Sequence, residues 1–254
     1  MLSILSGIGK LIFQKLELFG QLVLLTIDTI KRLRFLDIKR LVKQMAHLGV
    51  DSLPIVLLTI FFTGVVITIQ TAQEFIKYGA QSTVGGIVAI AMGRELAPVL
   101  TGVVMAGRVG AAITAELGSM KVTEQIDALR VMAVNPVAYL VVPRLIACII
   151  MCPILVIFAN VIGIIGSYII TTFYDSITTQ MFINSIKTFV VPHDITGGMI
   201  KACFFGAIIA IVGCHKGLNT SEGAEGVGTA TTESVVLSII LIFFFNCILS
   251  ALLY

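Results

Sequence analysis

The chain has 254 residues, 57% hydrophobic and only 12% charged, with a mean hydropathy of +1.06. A soluble domain carries about 25% charged residues, so the composition excludes an ordinary soluble enzyme and indicates a polytopic membrane protein. The net charge is only +3, but it is unevenly distributed.

Before residue 52 there are eight basic residues, Lys10, Lys15, Lys31, Arg32, Arg34, Lys39, Arg40 and Lys43, with four acids, Glu17, Asp28, Asp37 and Asp51. They alternate with Leu, Ile and Phe. That mixture suits an amphipathic region, residues 1–50, lying on an anionic membrane leaflet, and not a nucleic-acid arm. No secretory signal pattern is present, because the first sustained apolar run starts near Leu53 and lacks a cleavage site.

The transmembrane core is expected over 51–254. The first apolar run, 53–71, is about long enough to span, with Asp51 and Ser52 as caps and Pro54 in the first turn. A polar connection, 73–83, leads into 84–115. A third run, 137–173, is expected to tilt or bend at Pro143 and Pro153. Residues 174–196 read as a polar section. A fourth run covers 197–214, a Gly-rich polar loop 215–234, and a last run 235–253. The expectation is one all-α membrane domain with five spans. The basic N-terminal region is placed in the cytoplasm by the positive-inside rule, so five spans put the C-terminus outside. The outer connections then hold Glu74, Lys77, Asp175, Lys187 and Asp194. No internal repeat is visible, which disfavours an inverted-repeat transporter. The five cysteines lie in or beside apolar runs, and Cys148 and Cys152, on one helix face, are expected to be packed thiols.

The stretch GRELAPVL, 93–100, puts Arg94, Glu95 and Pro98 inside an apolar run. A charge at the bilayer centre costs about 2.5–3.5 kcal/mol, so the pair must be compensated or lie near an interface. From Glu95 to Glu116 is 21 residues, or about 32 Å of helix, which matches the hydrocarbon thickness. The second span is therefore expected over 96–115, with a short helix or re-entrant piece at 84–93 before it and Pro98 in its first turn. Glu95 then either pairs with Arg94 or faces a cavity open to the outer side. Gly102, Ala106, Gly110 and Thr114 recur every four residues, as do Val103, Gly107, Ala111 and Ala115. Such ridges let helices approach closely, either within one chain or across a homodimer axis. The first set, Gly102 to Thr114, is taken as the dimer contact. Arg108, in the same span, needs a carboxylate, a carbonyl or a phosphate.

Beyond this span, 116–136 reads as an amphipathic cytoplasmic helix at about 119–134. Val122, Ile126, Leu129 and Ala133 form its apolar face, Lys121, Glu124, Gln125, Asp127 and Arg130 the polar one. Thr123 is its expected cap and Asn135-Pro136 its stop. The pattern suits a coupling helix that docks a cytoplasmic partner.

Residues 93–136 and the loop GLNTSEGAEGVGTATTESVV, 217–236, resemble the signatures of the MlaE/YrbE family of ABC-transporter permeases. That resemblance covers nearly the whole chain. It implies a homodimer in the inner membrane of a Gram-negative bacterium, two cytoplasmic ABC ATPase subunits, in many systems a small STAS-domain protein, and a hexamer of MCE-domain proteins on the outer side. The implied cargo is phospholipid moved between inner and outer membranes. By the same resemblance the lipid site is lined by the first two spans and includes Glu95, and the stretch around Lys121 to Arg130 docks the ATPase. Val66, Ile67 and Ile69 are candidates for its apolar wall; Gln70, Arg94, Glu95 and Pro98 for its mouth.

No GxxxxGK[ST] is present and GAEGVG, 223–228, is not GxGxxG, so ATP and Mg are expected in a partner subunit and not in this chain. His47, His193 and His215 are isolated and no HExxH occurs, so the chain is not expected to be an enzyme. The alternatives to a lipid permease are a self-contained carrier or channel for a small polar solute using Arg94/Glu95, and a structural anchor for other subunits.

Overall fold

The computed structural model describes residues 2–171, 173, 177–221 and 223–254. Asp175 therefore lies outside the described residues. The described residues form eight α-helical segments, one short 3₁₀ turn (Leu33–Phe35) and no strand: α1 (Leu2–Lys31), α2 (Ile38–Lys77), α3 (Gln81–Val122), α4 (Gln125–Val131), α5 (Val137–Thr171), α6 (Thr179–Phe189), α7 (Pro192–Leu218) and α8 (Gly223–Leu253). Five of them, α2, α3, α5, α7 and α8, are long and apolar enough to cross a membrane, as the sequence indicates.

The spans are longer than their apolar runs. The helix of 53–71 begins at Ile38, so Asp51 and Ser52 do not cap it. Asp51 pairs with His47, and the buried Ser52 hydroxyl donates to the Leu48 carbonyl at 2.7 Å. The separate piece expected at 84–93 does not exist either. Residues 81–122 form one helix of 42 residues, about 63 Å long, twice the hydrocarbon thickness. It stays continuous by widening into π turns at Met92–Leu96 and Ala106–Gly110. The first π turn lets the chain pass Pro98, whose ring cannot sit in an undisturbed α-helical ladder.

Two elements were hidden by composition. Residues 179–189, inside the expected polar section, form α6, capped by Thr178, which accepts from the Met181 N–H. It lies against the start of α3, where the Gly86 N–H donates to Ser185 Oγ at 2.8 Å. Most of the Gly-rich stretch 215–234 is helical, since α7 runs on to Leu218 and α8 starts at Gly223. Gly, Thr and Ser are poor helix formers in isolation, but here the helix on either side is already nucleated.

The core is built by close backbone approach. Gly64 of α2 lies against the Gly163 backbone of α5, where a Cβ would collide with the carbonyl; small residues at crossings are how membrane helices gain contact without a hydrophobic driving force. The α5 helix carries Pro153 in its interior, and Cys148 and Cys152 are fully buried, as expected of packed thiols. The helices α2 and α8 are peripheral: 28% and 17% of their most apolar windows are buried, against 56% for α3, α5 and α7. Their outward faces carry Leu58, Phe62 and Val66, and Ile240, Phe243 and Phe244.

Candidate functional site

Arg94 and Glu95 do not pair with each other. Each takes a partner from α7. Lys201, absent from the sequence-derived site, is fully buried and directs its ammonium at Glu95 Oε1 (2.7 Å), the Arg94 carbonyl (2.9 Å) and Ser250 Oγ (2.8 Å). An ammonium has three N–H donors, and all three are used. Pro98 accounts for the second contact. In an α-helix the Arg94 carbonyl would accept from the N–H four residues on, and residue 98 has none.

Glu95 is satisfied from three sides. Besides Lys201, it accepts from Asn246 Nδ2 on Oε2 at 2.9 Å and from Ser250 Oγ on Oε1 at 2.9 Å, both from α8. Its side chain nonetheless remains 40% exposed, against 0% for Lys201. Arg94 donates through Nε to Asp194 Oδ1 at 2.7 Å, and its guanidinium lies 4.5 Å from the centre of the Tyr254 ring. Asp194, expected in an outer connection, is instead fully buried in the first turn of α7 and also accepts from the Val191 N–H at 2.9 Å. The acid at a helix start is favoured by the dipole. Tyr254 donates from its hydroxyl to the Asp194 carbonyl (3.2 Å), and His193 Nε2 donates to the Leu253 carbonyl (2.8 Å). Two cations and two carboxylates thus balance in a compact cluster joining α3, α7 and α8, with Arg94 and Glu95 half-exposed.

The other residues expected at the site are placed differently. Pro98 is buried against Gly198. Val66 and Gln70 are exposed on α2, and Ile67 and Ile69 are half-buried. Among the described residues, Gln70 makes no side-chain hydrogen bond to Arg94 or Glu95. The signal for Lys201 was a lone lysine in the apolar run 197–214; its partners lie 106 and 49 residues away, which no local pattern reveals.

The ridge of Gly102, Ala106, Gly110 and Thr114 is buried within the single chain and cannot serve as the expected dimer contact. Gly102 meets Phe205 and Ile242, Gly110 meets Ile209, and Thr114 Oγ1 donates to the Gly213 carbonyl at 3.1 Å. The neighbouring ridge turns outward. Gly107 is exposed with nothing within 4 Å of its Cβ position. Arg108 finds a hydroxyl, donating to Ser52 Oγ of α2.

At the opposite end, the expected helix over 119–134 is split. The α3 helix ends at Val122, Glu124 takes a left-handed conformation (φ 58°), and α4 is a seven-residue helix. Thr123 does not cap α4; its hydroxyl donates to the Ser119 carbonyl. Ile126 is buried, while Val122, Val131 and Met132 are exposed. Asp127 holds both Lys121 (3.3 Å) and Arg130 (2.8 Å), Gln125 donates to Thr123, and Glu124 is exposed. Asn135 caps the following helix by accepting from the Val137 and Ala138 N–H groups. A cleft of about 470 Å³ between this corner and the α7–α8 turn is lined by Lys121, Glu124, Asp127, Thr220 and Ser221, so the stretches 116–136 and 217–236 form one surface.

Residues 41–252 match the family described as Permease MlaE. The chain is 48% identical to a probable ABC transporter permease protein of Synechocystis sp. over 212 residues, 84% of this chain and 81% of the relative. It is 37% identical to a probable ABC transporter permease protein of Rickettsia bellii over 256 residues, 100% of this chain and 99% of the relative. A chloroplastic protein of Arabidopsis thaliana, trigalactosyldiacylglycerol 1, is 40% identical over 212 residues, 84% of this chain and 61% of that protein.

Proposed function

The chain belongs to the MlaE permease family, and from that premise we propose that it moves phospholipid between the inner and outer membranes of a Gram-negative bacterium, maintaining outer-membrane lipid asymmetry. It is a multi-pass ABC transporter permease, and the permease chain itself is not an enzyme. In this reading it sits in the inner membrane with its N-terminus cytoplasmic and its C-terminus periplasmic, and ATP hydrolysis with Mg belongs to cytoplasmic ABC ATPase subunits. A hexamer of MCE-domain proteins meets it on the outer side, and a small STAS-domain protein accompanies the ATPases.

The observation that carries the proposal is Glu95: a carboxylate anchored by a fully buried lysine yet 40% exposed, about one bilayer thickness along α3 from Glu116. A lipid needs apolar walls with a few polar groups at one end. The half-exposed Arg94 and Glu95 are the polar groups, and the outward faces of α2 and α3 are the walls. In a homodimer packed along the outward ridge at Gly107, Val66, Ile67, Ile69 and Gln70 of α2 complete the cavity. One relative is named for a galactolipid, which agrees with lipid as the cargo class. Lys121, Glu124, Gln125, Asp127 and Arg130, with the α7–α8 turn beside them, form the ATPase-coupling surface. A self-contained carrier is disfavoured because the relatives are named as ABC permeases.

The test is purification of the chain from native membranes in mild detergent, with mass spectrometry of bound proteins and lipids, for wild type and Glu95→Lys. Co-purification of an ATPase and an MCE protein, with phospholipid enriched in wild type and lost in an assembled Glu95→Lys complex, is expected. An assembled variant that transports lipid normally removes Glu95 from the site. A crosslinked wild-type preparation without an ATPase removes the lipid-permease reading itself.

A further inference from the structure

At the end of the bundle opposite Glu95, two adjoining cavities of about 370 Å³ and about 500 Å³ share Arg40, Tyr139 and Pro143 in their linings. Four cations line them, Arg32, Arg40, Lys43 and Arg144; Asp28, Asp37 and Glu116 pair with Arg32, Arg40 and Arg144, which leaves the Lys43 charge in excess. We propose that this cleft binds the phosphate headgroup of an anionic phospholipid from the adjacent leaflet, held apart from the transported cargo.

The chemistry is that of a built anion site. Arg144 is only 3% exposed. One of its terminal nitrogens pairs with Glu116 Oε2 at 2.8 Å and the other donates to the Leu140 carbonyl at 2.7 Å, while its Nε–H has no acceptor. The guanidinium is thus fixed from two sides before any ligand arrives, and a phosphate oxygen is the partner that matches the part of it lining the cleft. Arg40 lies flat on the Tyr139 ring, 3.4 Å from its centre, with Nε held by Asp37 at 3.2 Å, so the guanidinium is positioned before any ligand arrives. Lys43, one turn further along α2, is exposed and forms no ion pair among the described residues.

The surroundings select a lipid over a free anion. Ile38 and Val42, on the same helix as Arg40 and Lys43, are 71% and 59% exposed. Apolar and cationic side chains alternating along one short helical stretch fit acyl chains below a headgroup plane; a soluble phosphate would leave the apolar side chains unused. The site shares no residue with the Arg94–Glu95 cluster, so its failure and that of the transport site are read separately.

The experiment uses the complex purified with its own subunits, delipidated, and titrated with phosphatidylglycerol or phosphatidylcholine, with bound lipid counted by native mass spectrometry. Each basic residue near a membrane surface is worth about 1 kcal/mol and a tenfold change about 1.4 kcal/mol. Arg40→Gln/Lys43→Gln should therefore lower the preference for phosphatidylglycerol by about tenfold to thirtyfold, and Lys43→Gln alone, at an exposed position that keeps the fold, by about fivefold. Lys77→Gln/Lys187→Gln, which removes the same charge at the other end, should leave the preference intact. An unchanged preference in Lys43→Gln and in the double variant overturns the proposal. So does displacement of the lipid by inorganic phosphate at the concentration at which phosphatidylglycerol displaces it, because that describes a free-anion site.

Discussion

Pro98 and Lys201 are complementary: the proline has no N–H for the Arg94 carbonyl, and the Lys201 ammonium donates to that carbonyl at 2.9 Å. The same ammonium neutralises Glu95 at 2.7 Å. The helix breaker and the two charges in GRELAPVL therefore belong to one device, in which a buried lysine from α7 closes both the backbone defect and the charge that the stretch introduces.

Lys201→Met is expected to destabilise the protein by about 3 kcal/mol, since breaking a buried pair from one side leaves its partner uncompensated. Thermal unfolding in detergent measures it. In the double variant Glu95→Gln/Lys201→Met the loss should be smaller than in Lys201→Met, with a coupling energy of about 1–3 kcal/mol between the two sites. Simple additivity would show that the pair contributes nothing.

The Arg94–Asp194 pair is asymmetric, because the arginine is 35% exposed and the aspartate 0%. Arg94→Ala strands a buried carboxylate and should cost about 3–5 kcal/mol. Asp194→Ala leaves an arginine that can reach water and an unpaired Val191 N–H, at about 1–3 kcal/mol. The reverse order of unfolding temperatures would contradict the geometry.

The two small-residue ridges of α3 should respond differently to enlargement. Gly102→Leu drives a side chain into Phe205 and Ile242 and should cost about 1–3 kcal/mol by overpacking. Gly107→Leu enters open space, so the chain should fold as wild type while dimerisation weakens. Unfolding temperature and mass by light scattering separate the two effects. A Gly107→Leu protein that dimerises normally places the dimer contact elsewhere.

Val131 and Met132 are 88% and 64% exposed on the α4 corner and make no structural demand within the chain. Val131→Glu/Met132→Glu is expected to leave the stability within about 0.5 kcal/mol of wild type and to lower ATPase recovery in a pull-down at least about tenfold, as for the loss of a hot spot of about 1.4 kcal/mol or more. Unchanged recovery would show that the ATPase binds another surface.

Composition and hydropathy by themselves determined that this is an all-helical membrane protein with five spans, because a span must be about 20 apolar residues long and its backbone must bond to itself. They also marked Arg94 and Glu95 as residues in need of compensation, because the cost of a charge in an apolar run is a local property. Partners were not legible. Lys201 and Asp194 reach Glu95 and Arg94 from about 100 residues away in the chain, and only the packing of α7 on α3 brings them together. Helix continuity through Pro98 and through the Gly-rich stretch 223–234 was likewise decided by tertiary contacts, which outweigh weak intrinsic propensity. The inward turn of the Gly102 ridge and the outward turn of the Gly107 ridge were decided in the same way: the two ridges are equivalent in sequence, and only the rotation of α3 against α7 and α8 distinguishes them.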